Sequence, residues 1–112
     1  MKFTAYRKEP EKEPEQIRIE SILGKMTGLV GGPLFMVRVT LTTGKRVVII
    51  QDQDATRKGK DYNFTLQPTP DRRTWIDFYG SILICGRAAD DEFEDLELTS
   101  DELDELITIP YE

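Results

Sequence analysis

The 112-residue sequence contains no histidine and only one cysteine. The lack of histidine removes the side chain that most often serves as a general base, a proton shuttle or a metal ligand near neutral pH. A single cysteine excludes an internal disulfide, which favours a reducing compartment. No apolar run is long enough to span a membrane, and no apolar run follows Met1 as it does in a secretory signal. We therefore expect a cytoplasmic protein that does not contact a membrane.

Residues that could carry chemistry are also scarce. Cys85 lies inside the apolar run Ile82–Gly86, where a thiol is expected to be inert packing rather than a nucleophile. The run Asp90–Asp95 lacks the glycine that a calcium-binding loop needs at its sharp turn, because Asp95 occupies that place. We predict that the protein is not an enzyme and that it has no catalytic residue, no cofactor and no metal site.

Charge is distributed very unevenly along the chain. The net charge is −6, yet residues 1–87 carry all 15 lysines and arginines and have a net charge of +5. Residues 88–112 hold 11 acidic groups and no basic group. A mildly basic body with a strongly acidic C-terminal segment indicates either an interaction surface or internal pairing between the two parts.

The most apolar part of the chain is Trp75–Gly86. Ile82–Cys85 is a continuous apolar run, too short for a helix, and it predicts a strand that is buried on both faces. Trp75, Asp77 and Tyr79 alternate with Ile76 and Phe78 before it, which is the period of a strand. We predict one long strand, bent near Gly80, in the middle of a sheet.

A hairpin is predicted by two alternating segments, Leu34–Thr42 and Lys45–Ile50, which flank the turn Thr43-Gly44. Glycine suits such a turn because it adopts a positive φ without steric cost. The alternation places four apolar side chains on one face: Phe35, Val37, Val39 and Leu41.

The other segments predict short strands and helices. A helix should begin at Ser21 and end at Gly31-Gly32-Pro33, since glycine and proline stop helices. The remaining predicted strands are Lys2–Lys8, Gln16–Glu20, Asp61–Gln67 and Phe93–Leu98. The sequence thus predicts a single α+β domain over residues 1–112, with a mainly antiparallel sheet of five to six strands and two short helices.

The second helix follows Thr99-Ser100-Asp101-Glu102, which has the pattern of a capping box. Leu103, Leu106 and Ile107 form its apolar stripe, so the acidic residues between them should face outward. Within the acidic segment 88–112, we predict a partner-binding surface formed by six carboxylates: Glu94, Asp95, Glu97, Asp101, Asp104 and Glu105.

Three glycine- and turn-bounded motifs resemble a known family. They are Val30-Gly31-Gly32, the strand Gly80–Gly86 and Leu98–Glu102, in this order and spacing over about residues 15–108. The family is domain of unknown function 3846, which consists of short proteins carried by bacteriophages and conjugative elements. Asp52–Ala55 stands where the family has an Asn-Glu-Glu-Gly turn. The resemblance implies a mobile-element accessory protein in the cytoplasm of a bacterial host.

Two functions remain open at this point. The acidic surface and the implied context favour an inhibitor that binds a host defence protein, of the anti-CRISPR or anti-restriction type, at its basic nucleic-acid-binding groove. The alternative is a small nucleic-acid-binding or regulatory module that uses the basic loops 57–60 and 72–73, near the aromatic residues Tyr62 and Phe64. Direct nucleic-acid binding is the weaker hypothesis, because the net charge is negative.

Overall fold

A computed structural model describes residues 2–20, 23–69, 72–90 and 92–109. In chain order, the elements are β1 (Lys2–Lys8), β2 (Glu15–Glu20), α1 (Leu23–Val30), β3 (Leu34–Thr40), β4 (Arg46–Asp52), β5 (Tyr62–Leu66), β6 (Ile76–Tyr79), β7 (Ile82–Arg87), β8 (Phe93–Glu94) and α2 (Ser100–Leu106). The main sheet has the order β2-β1-β7-β4-β3, with β8 paired to β7, and β5 and β6 form a second sheet. All of these strand pairs are antiparallel, so the predicted α+β class is confirmed.

The strand β7 lies in the middle of the main sheet, hydrogen-bonded to β1 and β4. Its side chains alternate between two apolar clusters: Ile82 and Ile84 belong to the first, and Leu83 and Cys85 to the second. All four residues are buried, which confirms the prediction of a strand buried on both faces. Full burial of an Ile or Leu side chain contributes about 2 kcal/mol to stability.

The two faces of the main sheet are covered by different elements. Met26 and Val30 of α1 pack in the second cluster, against Phe3 and Ala5 of β1. The first cluster lies on the opposite face, where the β5–β6 hairpin and α2 cover the sheet; their buried side chains there are Phe64, Leu66, Phe78 and Leu106. The fold therefore has three layers, with α2 and the β5–β6 hairpin opposite α1.

The prediction of one continuous strand over Trp75–Gly86 is wrong. Gly80 has a φ of +77°, a left-handed conformation that breaks the extended backbone. The residues before it form β6 in the small sheet, and those after it form β7 in the main sheet. Trp75, which the prediction placed in the centre of the sheet, is 59% exposed.

Three further predictions need correction or restriction. The strand expected over Phe93–Leu98 is confined to β8, because the following residues leave the ladder: Leu96 N–H donates to the Thr4 carbonyl. The apolar face predicted for the hairpin is only partly buried, because Phe35 is 44% exposed whereas Val37, Val39 and Leu41 are buried. The predicted helix cap, Ser21, lies outside the described residues.

The left-handed turn at Gly80 leads to a testable contrast between two glycines. Gly80→Ala should lower the free energy of unfolding by about 1–2 kcal/mol, because a Cβ disfavours the left-handed conformation. Its matched control is Gly28→Ala in α1, where an added Cβ would meet nothing within 4 Å. That change should raise the free energy of unfolding by roughly 1 kcal/mol, since alanine is the better helix former. Urea unfolding followed by circular dichroism measures both, and equal stability of Gly80→Ala and the wild type would contradict the assignment.

Candidate functional site

The acidic surface is defined here by the six predicted carboxylates Glu94, Asp95, Glu97, Asp101, Asp104 and Glu105. The structure places them on β8, on the segment that follows it and on α2. Five of the six are exposed and Glu105 is half-buried. Asp101, Asp104 and Glu105 are three and four residues apart on the helix, so they lie on neighbouring parts of one face. Six acidic groups thus lie on a short, continuous stretch of chain.

Two carboxylates of the acidic surface also form hydrogen bonds to the main sheet and to the β3–β4 turn. The Asp95 carboxylate accepts a hydrogen bond from the Thr4 amide at 2.7 Å, at the start of β1. The Glu105 carboxylate accepts from the Thr42 amide at 3.0 Å and from the Thr42 hydroxyl, in the β3–β4 turn. Both carboxylates therefore help to hold the acidic segment in place, in addition to contributing negative charge.

The other four members are Glu94, Glu97, Asp101 and Asp104. Their side chains are exposed, and within the described ranges they form no hydrogen bond and no ion pair. None of the six carboxylates forms an ion pair with a lysine or arginine in the part of the chain that the structure describes. Lys45 approaches this surface, but it donates to the backbone carbonyl of Glu97 at 2.7 Å and not to its carboxylate.

The helix that carries part of this surface is fixed by Glu102. The Glu102 amide donates to the Thr99 hydroxyl at 3.2 Å and the Thr99 amide donates to the Glu102 carboxylate at 3.0 Å, which confirms the predicted capping box. The same buried carboxylate accepts from Lys45 at 2.8 Å and from the Thr43 hydroxyl at 2.6 Å. Hydrogen bonds from Lys45, Thr43 and Thr99 lower the pKa of Glu102 to about 2, against the effect of burial. Among the described residues of the acidic segment, Glu102 is thus the one whose carboxylate forms an internal ion pair.

The basic side chains of loop 57–60 form ion pairs within the fold. Asp52, at the end of β4, is 1% exposed, and one of its oxygens accepts from Lys58 at 2.7 Å and from Lys60 at 2.9 Å. Burial alone would raise the pKa of Asp52, but the hydrogen bonds from Lys58, the Asp54 amide and Lys60 hold it well below its usual range. Arg57 pairs with Asp54 at 3.1 Å. All three cations of this loop therefore have an acidic partner inside the molecule.

The two lysines also reach the C-terminal end of α1. Lys60 donates to the Val30 carbonyl and Lys58 to the Gly31 carbonyl, each at 2.9 Å. The last turn of α1 contains no basic residue, so these lysines supply the positive charge that favours a helix C-terminus. A Cβ on Gly32 would lie 2.5 Å from the Asp52 carboxylate. The glycine pair is thus needed because Asp52 and the lysines pack against its backbone.

The second basic loop and the nearby aromatic residues are only partly accessible. The Arg72 guanidinium donates to the Arg38 carbonyl at 3.3 Å, at the edge of the sheet, whereas Arg73 is exposed. Phe64, expected to form part of a base-stacking surface, is fully buried against Phe78, and Tyr62 is half-buried. The structure therefore does not present Tyr62 and Phe64 together on an open surface.

Comparison with protein families adds one relationship. A family model described as "Domain of unknown function (DUF3846)" matches residues 1–108. The chain belongs to DUF3846. No curated protein and no solved structure matches it. This DUF3846 chain has no helix, among the residues described, that is long and apolar enough to cross a membrane. The same residues contain no group of three or more His, Cys, Asp or Glu side chains placed to hold a metal ion.

The DUF3846 structure shows what sequence reasoning missed. Val30-Gly31-Gly32 and Asp52 are separate motifs in the sequence, and the fold brings them into contact. The sequence shows a glycine pair after a helix and an aspartate after a buried strand, but neither feature indicates which residue it will contact. Cys85 agrees with expectation: it is buried, and burial raises the pKa of its thiol to about 12, which makes it a poor nucleophile.

The ion pair of Glu102 generates a prediction about pH. Because the pKa of Glu102 is about 2 in the folded protein, against an ordinary value of 4.5, its stabilising effect is present above pH 4.5 and is lost as the pH falls towards 2. The difference in unfolding free energy between the wild type and Glu102→Gln should therefore be largest near pH 6 and shrink towards pH 2. Urea unfolding at a series of pH values measures it. Asp101→Asn is the control, and a difference that does not depend on pH would contradict the assignment.

A second prediction concerns Asp52. Asp52→Asn should lower the free energy of unfolding by about 2–3 kcal/mol, because it leaves Lys58 and Lys60 without their shared carboxylate. The two lysines are partly exposed, so this loss should be smaller than that for a fully buried ion pair. Asp54→Asn is the matched control, and its pair with the exposed Arg57 should be worth less than about 1 kcal/mol. Equal losses in the two variants, measured by urea unfolding at pH 7, would contradict the structural role of Asp52.

Proposed function

We propose that this protein is a non-enzymatic accessory protein of a phage or other mobile element that inhibits a host defence protein. In this proposal, the acidic surface binds the basic groove in which a CRISPR nuclease or a restriction enzyme holds nucleic acid. The observation that carries the proposal is the set of four exposed carboxylates, Glu94, Glu97, Asp101 and Asp104, that form no ion pair with a described cation.

The physical basis is electrostatic complementarity. A groove built to bind phosphates is lined by lysine and arginine, and a fixed array of carboxylates offers it a similar pattern of negative charge. Such charges accelerate association and select against acidic partners. The internal bonds of Asp95 and Glu105 favour this role, because they hold the segment in one place before a partner arrives.

The cellular context comes from the sequence motifs. The resemblance of Val30-Gly31-Gly32 and Gly80–Gly86 to a family carried by bacteriophages and conjugative elements implies a bacterial cytoplasm, where defence nucleases act. The absence of histidine and the high pKa of the buried Cys85 favour a binding function over catalysis.

The alternative, nucleic-acid binding through loops 57–60 and 72–73, has less support. Lys58 and Lys60 are held by Asp52, and moving them to a phosphate would leave a buried carboxylate unpaired. A mobility-shift assay at low salt with single-stranded and duplex DNA separates the two functions. A shift at micromolar protein favours the alternative.

The proposal is tested with matched charge reversals. The protein is immobilised, nucleases captured from a bacterial lysate are identified by mass spectrometry, and the affinity and DNA cleavage of each purified nuclease are then measured. The double variant Glu97→Lys/Asp101→Lys should weaken binding and inhibition at least about tenfold. Glu15→Lys/Asp61→Lys has the same net charge but alters exposed carboxylates elsewhere, and it should change binding less than about twofold.

Salt and competing DNA provide the second readout. Binding should weaken as NaCl is raised from 50 to 300 mM, because the contacts are between exposed charges. Duplex DNA should compete with the protein for the nuclease. Equal effects of the two double variants, or binding that is indifferent to both salt and DNA, would refute the role of the acidic surface.

A further inference from the structure

A cleft of about 260 Å³ lies between the β1–β2 turn and α2. Its apolar walls come from Pro14 of the turn and from Leu103, Ile107 and Ile109 of the C-terminal region. These four side chains are all half-buried, so the cleft exposes an aliphatic surface to solvent. Lys8, the last residue of β1, also lines it.

Lys8 differs from the other described lysines because it is buried and has no counter-ion among the described residues. The residue is 2% exposed, and among the described residues its ammonium has one acceptor, the Glu9 carbonyl at 2.9 Å. The neighbouring Glu9 carboxylate is turned away, since it accepts from Arg7 and from the Ser81 hydroxyl, each at 2.8 Å. No carboxylate of the described chain lies within ion-pair distance of Lys8.

This arrangement is costly for the folded protein. An ammonium has three N–H donors, and a buried charge is normally paired or fully hydrogen-bonded. Burial lowers the pKa of Lys8, while the charges of Glu13 and Glu9 oppose that shift. A methionine would pack at this position without that penalty, so packing does not explain the charge. An anionic ligand in the cleft would supply the acceptors that Lys8 lacks.

The cleft also restricts the kind of anion. Glu11, Glu13 and Asp104 are exposed around it, with Lys12 as the opposing cation. This negative rim disfavours ligands with several negative charges, such as nucleic acids or phosphate esters. The aliphatic walls favour a ligand that has one anionic end and an apolar remainder.

We propose that this cleft binds a single carboxylate that carries a short aliphatic chain, with the carboxylate on the Lys8 ammonium and the chain against Leu103, Ile107 and Ile109. A free aliphatic acid and the C-terminus of a peptide that ends in leucine share this chemistry. The proposal does not depend on the acidic surface binding a host protein, because it rests on Lys8 and the apolar walls, and Asp104 of the acidic surface contributes only to the rim of the cleft.

The experiment is a methyl NMR titration of the full chain with hexanoate, compared with hexanol of the same chain length. Hexanoate should shift the methyl signals of Leu103, Ile107 and Ile109 with a Kd of about 1 mM, as expected for a small ligand. Hexanol should bind at least tenfold more weakly, since it lacks the charge. Equal affinities for the acid and the alcohol, or no saturable shift with hexanoate and with the peptide acid, would overturn the proposal.

A pentapeptide that ends in leucine, as the free acid and as the amide, identifies the source. The free acid should bind and the amide should not. Tighter binding of the peptide acid than of hexanoate assigns the site to a protein C-terminus, and the reverse order assigns it to a free acid. Binding of the amide as tight as that of the peptide acid would overturn the proposal.

Two variants distinguish a specific contribution of Lys8 to ligand binding from an effect of the protein's net charge. Lys8→Met should abolish hexanoate binding and raise the Tm by about 4 °C, because an uncompensated buried charge is removed. Lys25→Met changes the net charge equally at an exposed site on α1 and should leave the Kd unchanged within twofold. Unchanged binding in Lys8→Met would refute the site. If Lys8→Met does not fold, the comparison of hexanoate with hexanol on the wild-type protein still tests the proposal.

Discussion

The burial of β7 on both faces is the constraint on which the remaining structure depends. Its four consecutive apolar residues, Ile82–Cys85, pair with β1 on one side and β4 on the other, and they supply both apolar clusters. A strand in this position requires a covering layer on each face. The helix α1 covers one, and α2 with the β5–β6 hairpin covers the other. Because β8 pairs with the end of β7, it joins the acidic segment 88–112 to the central strand of the sheet.

The charge that the protein presents to solvent depends on which acidic and basic side chains form ion pairs inside the fold. Asp52 pairs with Lys58 and Lys60 within the basic body, and Glu102 of the acidic segment pairs with Lys45. These pairs join the ends of β4, α1 and α2 to the loops beside them. The carboxylates of the acidic surface are left without cationic partners among the described residues. Among the described residues, the pair of Lys45 with Glu102 is therefore the ion pair that joins the basic part of the chain to the acidic part.

The sequence correctly predicts those structural features that depend on residues close together in the chain. The hairpin with Gly44 at positive φ, the two-faced burial of Ile82–Cys85 and the capping box of Thr99 and Glu102 all depend on residues close in sequence, and all are confirmed. The break at Gly80 was missed, because alternation on both sides of a glycine is the same whether the strand continues or changes sheets. The six acidic residues were located by composition, whereas the contacts of Asp52 with Gly32 and Lys60 are long-range and have no local signal.

Two buried charges show how a structural role differs from a binding role. Asp52 has three hydrogen-bond donors, from Lys58, Lys60 and the Asp54 amide, and its network is complete inside the fold. Lys8 is equally buried, yet the described residues give it a single carbonyl acceptor and no counter-ion. A complete network specifies a structure, while an incomplete one reduces stability unless something outside the chain completes it. In the described part of the chain, Lys8 at the cleft beside α2 is for this reason a buried charge whose hydrogen bonding the fold does not complete.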